Sequence, residues 1–501
     1  MTSLIVDRRR LRRWHVDFAS RLASGRAASL VVTDGATLPT AVELLLSLEQ
    51  LVRGLPGPRP SDRVSAAASG CPLPAGPVLD LSTAGAGGPG ALRLLYDGVP
   101  DEAALFGALL AGRTPLLEIA EAGSSRILAR ALPSIETAES LVEAYECIVA
   151  RVQTLALSAL SQPGQCVRPM PRAAAPASAT AAVRYAVGDL AFSALRRLYR
   201  LCTRAPHWRV GWRFVDDEAD VLDRRDLGGT PWRDVPDPGL RFLADPFPVV
   251  WRDETWIMVE DFDHRQQKGI IAAIPFGPDG PTGAARPVLE TPWHLSYPFL
   301  MVDGGEIWMV PESSADRSVR LYRADPFPTR WVEEAVLLEG IEASDATIVR
   351  HGGRYWMFVA TRDGAGAPSD TLSLFMADAL VGPWRPHPAN PVLIDASAAR
   401  PAGNIVCRNG RLWRPVQDCR SGYGRALGLA EVTRLDEEEF AQTVRTILAP
   451  GPDWPGRRIH TLNRAGRLEC IDGSAVSWRI PLPIPGLSAR VQPDCAVRPI
   501  P

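Results

Sequence analysis

The sequence predicts a mixed architecture, a small N-terminal α/β domain followed by a five-bladed β-propeller. Two observations carry this. From Trp208 onward, a strand, a tight turn and a second strand recur about every 50 residues, the period of propeller blades. Before residue 163, short apolar runs alternate with amphipathic segments, the pattern of an α/β unit.

In the N-terminal part, apolar residues recur at three- and four-residue spacing over 39–53, 101–111 and 136–161, which predicts helices there. The runs SLVVTD (29–34), GPVLDLS (76–82), ALRLLYDG (91–98) and TPLLEIAEA (114–122) predict short strands. Residues 164–182 are rich in Pro, Ala and Ser and read as a linker, followed by a helical stretch near 183–203. The expected division is 1–163 for the α/β domain, 164–207 for linker and helix, 208–480 for the propeller, and 481–501 for a tail.

Four repeat copies align without a gap: 244–261, 296–313, 344–361 and 401–418. Each places a tryptophan at the same position, namely Trp256, Trp308, Trp356 and Trp413. A weaker fifth copy spans 459–473. The turn dipeptides are Arg252-Asp253, Gly304-Gly305, Gly352-Gly353 and Asn409-Gly410. Gly and Asn suit type I′ hairpins, which need positive φ at both central residues. Counting seven residues out from each turn pairs Asp245 with Glu260, Tyr297 with Glu312, Asp345 with Ala360 and Ala402 with Gln417. All of these positions then lie at one end of the propeller. Carboxylates gathered in one mouth raise each other's pKa, so that one serves as acid while another stays ionised. Asp245, Glu260, Glu312 and Asp345 are the candidate catalytic set.

The bulk properties narrow the function. With 501 residues, 46% hydrophobic and 22% charged, the chain has ample material for globular cores. A net charge of −2 gives no global field to recruit nucleic acid or an anionic membrane. Eight scattered cysteines form neither a CxxC pair nor a metal-ligand spacing with histidine, so no metal and no cofactor is expected. The apolar run at the N-terminus is too short for a signal peptide, and no uncharged apolar stretch is long enough to span a membrane. A cytoplasmic protein is the expectation. AGAGGPGA at 84–91 lacks the Lys-Ser/Thr of a phosphate loop and reads as a plain loop, and RRRLRR at 8–13 reads as a solvated helix face.

ADPF at 244–247 and SDAT at 344–347 resemble first- and third-blade motifs of family-43 glycoside hydrolases and their five-bladed relatives. The resemblance implies that Asp245 is the base and that Asp345 orients and tunes an acid. That family's acid is a fourth-blade glutamate, and here the matching stretch, ARPAGNI, has no carboxylate. Ordinary inverting hydrolysis needs both an acid and a base. A closer resemblance runs through LADPFPVVWRDETWIMVEDFD, HLSYPFLMVDGGEIWMVPESS, GPWRPHPANPV, ARPAGNI, RPVQDC and HTLN. These phrases are similar to the N-terminal domain of plant glucosamine inositolphosphorylceramide transferase and its bacterial relatives. In such relatives the propeller follows a segment somewhat like formyltransferases. Residues 1–163 resemble a degenerate version, without the Asn, His and Asp set that would assign that activity.

The fourth blade instead carries Arg400, Asn404, Arg414 and Arg420, with Asp418 at the far end of its hairpin and Arg457, Arg458 and His460 further on. Arginine forks suit phosphate or carboxylate. With His294 and Asn463, the expected substrate-binding set is His294, Arg400, Asn404, Arg414, Asp418, His460 and Asn463. The expected substrate is a sugar or sugar phosphate, such as a nucleotide sugar or a lipid headgroup. Glycosyl transfer in glycan or glycolipid biosynthesis is the leading reading. A glycoside hydrolase using Glu312 or Glu260 as acid is one alternative, and a non-catalytic glycan-binding or scaffolding propeller is another.

Overall fold

The computed structural model describes residues 2–25, 28–65, 76–161, 172–175, 177–216, 219–236 and 238–479. The tail after 479 and residues 164–171 and 176 of the expected linker lie outside the described residues.

The N-terminal elements, in chain order, are β1 (Thr2–Asp7), α1 (Arg13–Gly25), β2 (Ala28–Thr33), α2 (Thr40–Val52), β3 (Val78–Asp80), β4 (Leu92–Tyr96), α3 (Glu102–Leu110), β5 (Leu117–Glu121), β6 (Ile127–Ala131), α4 (Leu141–Ser161) and α5 (Ala179–Cys202). They build a six-stranded sheet in the order β2-β1-β3-β4-β5-β6. β1 to β4 are parallel, and β5 and β6 are antiparallel additions. β1, which composition did not single out, is central and wholly buried, as a strand with parallel neighbours on both sides should be. Its core partners include Trp14 and Phe18 of α1, Leu46 of α2, Phe106 of α3 and Tyr145 of α4. The arginines that follow β1 form a solvated face only in part, because Arg8 and Arg9 are exposed while Arg10 and Arg12 are buried. Arg10 turns inward to Asp101, the N-cap of α3, at 2.6 Å, and Arg12 reaches Glu43 at 3.0 Å. The helix expected from 136 begins only at Leu141, leaving 136–140 as a loop.

Five sheets follow, one for each blade. The first four are sequence-contiguous and open with the hairpins Arg241–Trp251/Glu254–Asp263, Ser296–Asp303/Glu306–Glu312, Ala343–His351/Arg354–Thr361 and Val406–Arg408/Arg411–Asp418. All four turns have positive φ at both central residues, from 48° at Arg252 to 81° at Gly305, as type I′ geometry requires. The four tryptophans take equivalent places, opposite Val249, Met301, Val349 and Val406. The fifth blade is composite. Its inner hairpin, Leu462–Ala465 and Leu468–Ser474, pairs with Trp208–Phe214 and Arg233–Asp234 from the start of the region. Joining the two ends in one sheet closes the ring and removes long open edges.

The register differs from the sequence expectation beyond each turn. Near the turns the pairing is as read, with Phe247 opposite Met258, Phe299 opposite Val310 and Thr347 opposite Phe358. Further out it slips by one, so Glu260 faces Ala244, Glu312 faces Ser296 and Ala360 faces Ser344. Asp245, Tyr297 and Asp345 each sit in a β-bulge with φ of 50°, 42° and 57°. In the fourth blade the slip is larger. Pro401 bridges Val416, and Ala402 bonds to Pro415 rather than facing Gln417. A bulge adds one residue to one strand and re-aims its side chain. Non-glycine residues held at positive φ cost about 1–3 kcal/mol each, and they recur here at one structural position in three blades.

The two parts are docked. Arg151 of α4, wholly buried, meets the equally buried Asp370 of the third blade at 2.7 Å. Ser134 N–H donates to the other oxygen of Asp370 at 2.8 Å. Leu132 exchanges backbone bonds with Ile394 and Ala396, and Ile394 joins the N-terminal core. α5 packs against α2 through Arg53 and Asp189, 2.7 Å apart.

Candidate functional site at the propeller mouth

The bulges turn Asp245, Tyr297 and Asp345 toward the propeller centre, where side chains from all five blades meet. Asp245 Oδ1 accepts a hydrogen bond from Thr461 Oγ1 at 2.7 Å, and its Oδ2 accepts from Tyr297 N at 3.1 Å. Its own N–H donates to Asp472 Oδ2 at 3.1 Å. The Tyr297 ring crosses to the opposite blades. Its hydroxyl meets Thr347 Oγ1 at 2.9 Å and accepts from Gly403 N at 2.7 Å. A Cβ at Gly403 would sit 2.2 Å from Leu462 O, so only glycine allows this approach.

Beside Asp245 lies His460, stacked on Trp208 at 4.0 Å and touched edge-on by Tyr423. Its Nδ1 is 2.5 Å from Asp472 Oδ2, and its Nε2 faces Asp245 Oδ1 at 3.6 Å. Asp472 is anchored in turn by the backbone N–H groups of His460 and Thr461. The result is a buried Asp–His–Asp cluster in which the imidazole lies between two carboxylates. Burial opposes charge on His460, but Asp472 and Asp245 outweigh it and raise its pKa. Asp245 is pushed up to about 6, chiefly by burial, with Asp472 and Asp345 adding to the rise and His460 opposing it. Ligand atoms of these three side chains lie within 4.8 Å of one another, compact enough to hold a cation. His460 and Asp472 already engage each other.

Across the mouth, Arg400 binds Asp345 Oδ2 through Nε at 2.6 Å and reaches Glu312 Oε2 through Nη2 at 3.3 Å. Its guanidinium lies over the Tyr423 ring at 4.9 Å. Gln417 donates a second bond to Asp345 at 3.0 Å. Burial, then repulsion by Glu312, pushes Asp345 up to about 7 against the pull of Arg400. Glu260 is raised well above the usual carboxylate range by burial, with Asp245 and Glu312 adding to it. His294 Nδ1 accepts from Gly269 N at 2.9 Å, so its proton resides on Nε2, which faces Glu260 Oε1 at 3.5 Å. All four expected carboxylates therefore converge, together with His294, Arg400 and His460.

Other expected residues do not join them. Arg414 is buried and spends its fork on the carbonyls of Ala398 and Ala399 and on Gln442, and burial pulls its pKa down to about 9. Asp418 is locked to Arg420 at 2.6 Å. Asn463 stitches blades together, accepting from Asn404 N at 2.7 Å and donating to Pro246 O at 2.9 Å.

Three contributors were absent from the sequence reading. Asp472 lies in the weak fifth copy, and its role needs the ring to close. Tyr423 follows the fourth-blade hairpin in a glycine-flanked loop without a motif. Glu136 comes from the N-terminal domain. Both its carboxylate oxygens are shielded from solvent beside Ser369, Cys419 and Arg400. Burial raises its pKa, and Ser369 and Arg400 oppose the rise. Two further cavities exist. One lies between Arg10, His15, Tyr96 and Glu102 in the N-terminal domain. The other lies between α4 and the 363–365 loop. None of the mouth residues lines either one.

Residues 234–472 match the family described as glucosamine inositolphosphorylceramide transferase 1, N-terminal. Glucosamine inositolphosphorylceramide transferase 1 of Oryza sativa subsp. japonica is 30% identical over 250 residues, covering 47% of this chain and 33% of the rice protein. The Arabidopsis thaliana protein of the same name is 34% identical over 205 residues, covering 40% of this chain and 27% of its own length. The matched part thus spans about a third of these relatives or less. Among solved structures, Zg3597, a family 117 glycoside hydrolase of Zobellia galactanivorans, is 11% identical. It aligns at a TM-score of 0.34 over 50% of this chain and 78% of its own. The GH43 protein BlXynB of Bacillus licheniformis is 19% identical, with a TM-score of 0.33 over 45% of this chain and 50% of its own. At such scores no residue role carries across.

Proposed function

We propose that the propeller mouth is a glycosyl-transfer site in which Asp245 is the base. The observation that carries the reading is Asp245 itself. It is a buried carboxylate near 6, coupled to a histidine that a second aspartate holds. A base with that pKa is ionised at neutral pH yet still takes a proton readily. The matched relatives are, by their printed names, glucosamine inositolphosphorylceramide transferases. That supports a sugar donor and a lipid headgroup as the substrate class here.

In this reading an acceptor hydroxyl attacks the anomeric carbon of a sugar phosphate or nucleotide sugar. The new C–O bond forms as the bond to the leaving phosphate breaks, and the phosphate departs with the electron pair. Asp245 takes the hydroxyl proton, and His460, held by Asp472, stabilises the ionised base before the step. Asp345 and Glu312, clamped by Arg400, hold sugar hydroxyls. Arg400 and Arg420 are already paired with carboxylates, so the leaving phosphate falls to Arg457 and Arg458. Those two side chains are exposed, precede His460 and make no ion pair among the described residues.

One observation favours hydrolysis as a second reading. Glu260, whose pKa burial raises well above the usual carboxylate range, lies beside the ionisable Asp245, which sets a candidate acid beside a base in one mouth. The test presents radiolabelled nucleotide sugars with and without a phosphoinositol-bearing lipid acceptor. Label moving to the lipid, and lost in Asp245→Asn, supports transfer. Release of free sugar without acceptor moves hydrolysis ahead. If no sugar, sugar phosphate or nucleotide sugar shifts the melting temperature at millimolar concentration, the mouth is not a carbohydrate site.

A further inference from the structure

A helix on the surface of a globular protein normally turns its apolar stripe inward and its charged face to water. α5 does the reverse. Its inward face carries Ala182, Tyr185, Ala186, Asp189 and Arg196. Asp189 pairs with Arg53 of α2, and Arg196 and Arg200 pair with Glu139 at 3.0 and 3.3 Å. The opposite face presents Val183, Val187, Leu190, Leu195, Leu198 and Leu201, which are 57–73% exposed. These positions follow helical spacing and form one stripe along the 24-residue helix.

The neighbouring helix also exposes apolar side chains. α2 buries Val42, Leu45 and Leu46 but leaves Leu44, Leu48, Leu51 and Val52 at 55–79% exposure. Together the two helices leave ten aliphatic side chains more than half in water. Monomeric proteins rarely expose apolar patches beyond a few hundred Å² unless something binds there.

Charge indicates what binds. Every carboxylate on the two helices is engaged, Glu43 by Arg12, Glu49 by Val142 N–H and Asp189 by Arg53. Arg184 and Arg197 are exposed and make no ion pair among the described residues. A second copy packed on this face would bring like charges together, whereas an anionic lipid surface neutralises them. Among the described residues no helix is long and apolar enough to cross a bilayer. An exposed apolar stripe flanked by arginine is the pattern of a helix lying in the headgroup region.

We propose that α2 and α5 form a membrane-seating face, with α5 lying in the interface of an anionic leaflet. The face is separate from the residues of the mouth, so its test does not depend on catalysis.

Flotation of the full chain with vesicles tests it. One set contains phosphatidylcholine mixed with phosphatidylglycerol, and the other phosphatidylcholine alone. The wild type is expected to float with the anionic vesicles. The triple variant Leu190→Glu/Leu195→Glu/Leu198→Glu should lose at least about tenfold in partitioning. Its melting temperature should be little changed, because these side chains are more than half exposed and none packs against the domain core. Arg184→Glu/Arg197→Glu should lower binding roughly fivefold for each arginine and abolish the preference for anionic vesicles. A wild type that stays with neither vesicle type overturns the proposal, as does a triple variant that floats as well as the wild type. Light scattering that finds a dimer dissolved by the triple substitution, without vesicle binding, assigns the face to a second copy instead.

Discussion

Asp245→Asn should make this protein more stable and less active, and the two effects should separate with pH. The carboxylate accepts from Thr461 Oγ1 and Tyr297 N. An amide keeps both contacts, because its oxygen accepts from Tyr297 N–H and its NH₂ donates to the threonine hydroxyl, which both donates and accepts. What is removed is a buried negative charge. Raising the carboxyl from 3.8 to about 6 corresponds to roughly 3 kcal/mol when the group is ionised. The folded state holds this proton more tightly than the unfolded chain does. The stabilisation it brings is therefore complete below the unfolded value of 3.8 and is lost as pH rises through about 6. The wild type carries the whole cost near pH 8 and none near pH 4. His460 loses one of its two carboxylate partners in the variant, which offsets part of the gain. The expected net is a stabilisation of about 1–3 kcal/mol near pH 8 that vanishes near pH 4. Urea denaturation at the two pH values measures it. Turnover should fall about 10²–10⁴-fold. A variant destabilised equally at both pH values would show that the charge is under no strain. Full turnover would remove Asp245 from the chemistry.

Other outcomes follow from the same cluster and from the domain contact. In the wild type, kcat/KM should rise with pH through about 6 as Asp245 ionises, and a rate flat from about pH 5 to 8 would contradict its role. Arg400→Met leaves Asp345 and Glu312 facing each other without a cation and should cost about 3–5 kcal/mol. The loss should be greater near pH 8 than near pH 5, because Asp345 can take a proton at the lower value. Arg151→Met should cost about 3–5 kcal/mol by stranding Asp370, and calorimetry should then resolve two transitions where the wild type shows one. Glu136→Gln should lower turnover at least about tenfold, whereas Glu254→Gln, at the turn end beside Trp256, should change nothing.

The blades were legible because a hairpin is a local object. Asn409-Gly410 and the paired glycines specify their turns whatever the rest of the chain does, and four tryptophans in register mark four equivalent strands. The same locality let the N-terminal α/β alternation be read. It failed where one residue alters a register. Asp245, Tyr297 and Asp345 carry no sign that they take positive φ, and the slip of one residue appears only when the strands pair. The arginines at 8–13 misled for a related reason. Composition suggests a solvated face, but Arg10 and Arg12 follow an inner strand, are buried themselves and pair with Asp101 and Glu43.

The sequence by itself determined the repeat, the fold class and the carboxylates that meet at one end of the ring. Hairpin turns at equal spacing place those strand ends on one rim, and the bulges then aim the side chains. Only the tertiary structure decided what surrounds them. Asp472 reaches His460 and Asp245 because 462–474 closes the ring against 208–214. Arg400 joins Asp345 to Glu312 because bulged backbones turn both blades inward. Glu136 arrives because Arg151 and Asp370 dock a second domain beside the mouth. Each contact joins residues far apart in the chain, so its geometry is set by how whole blades and domains pack, and no local pattern of residues records it.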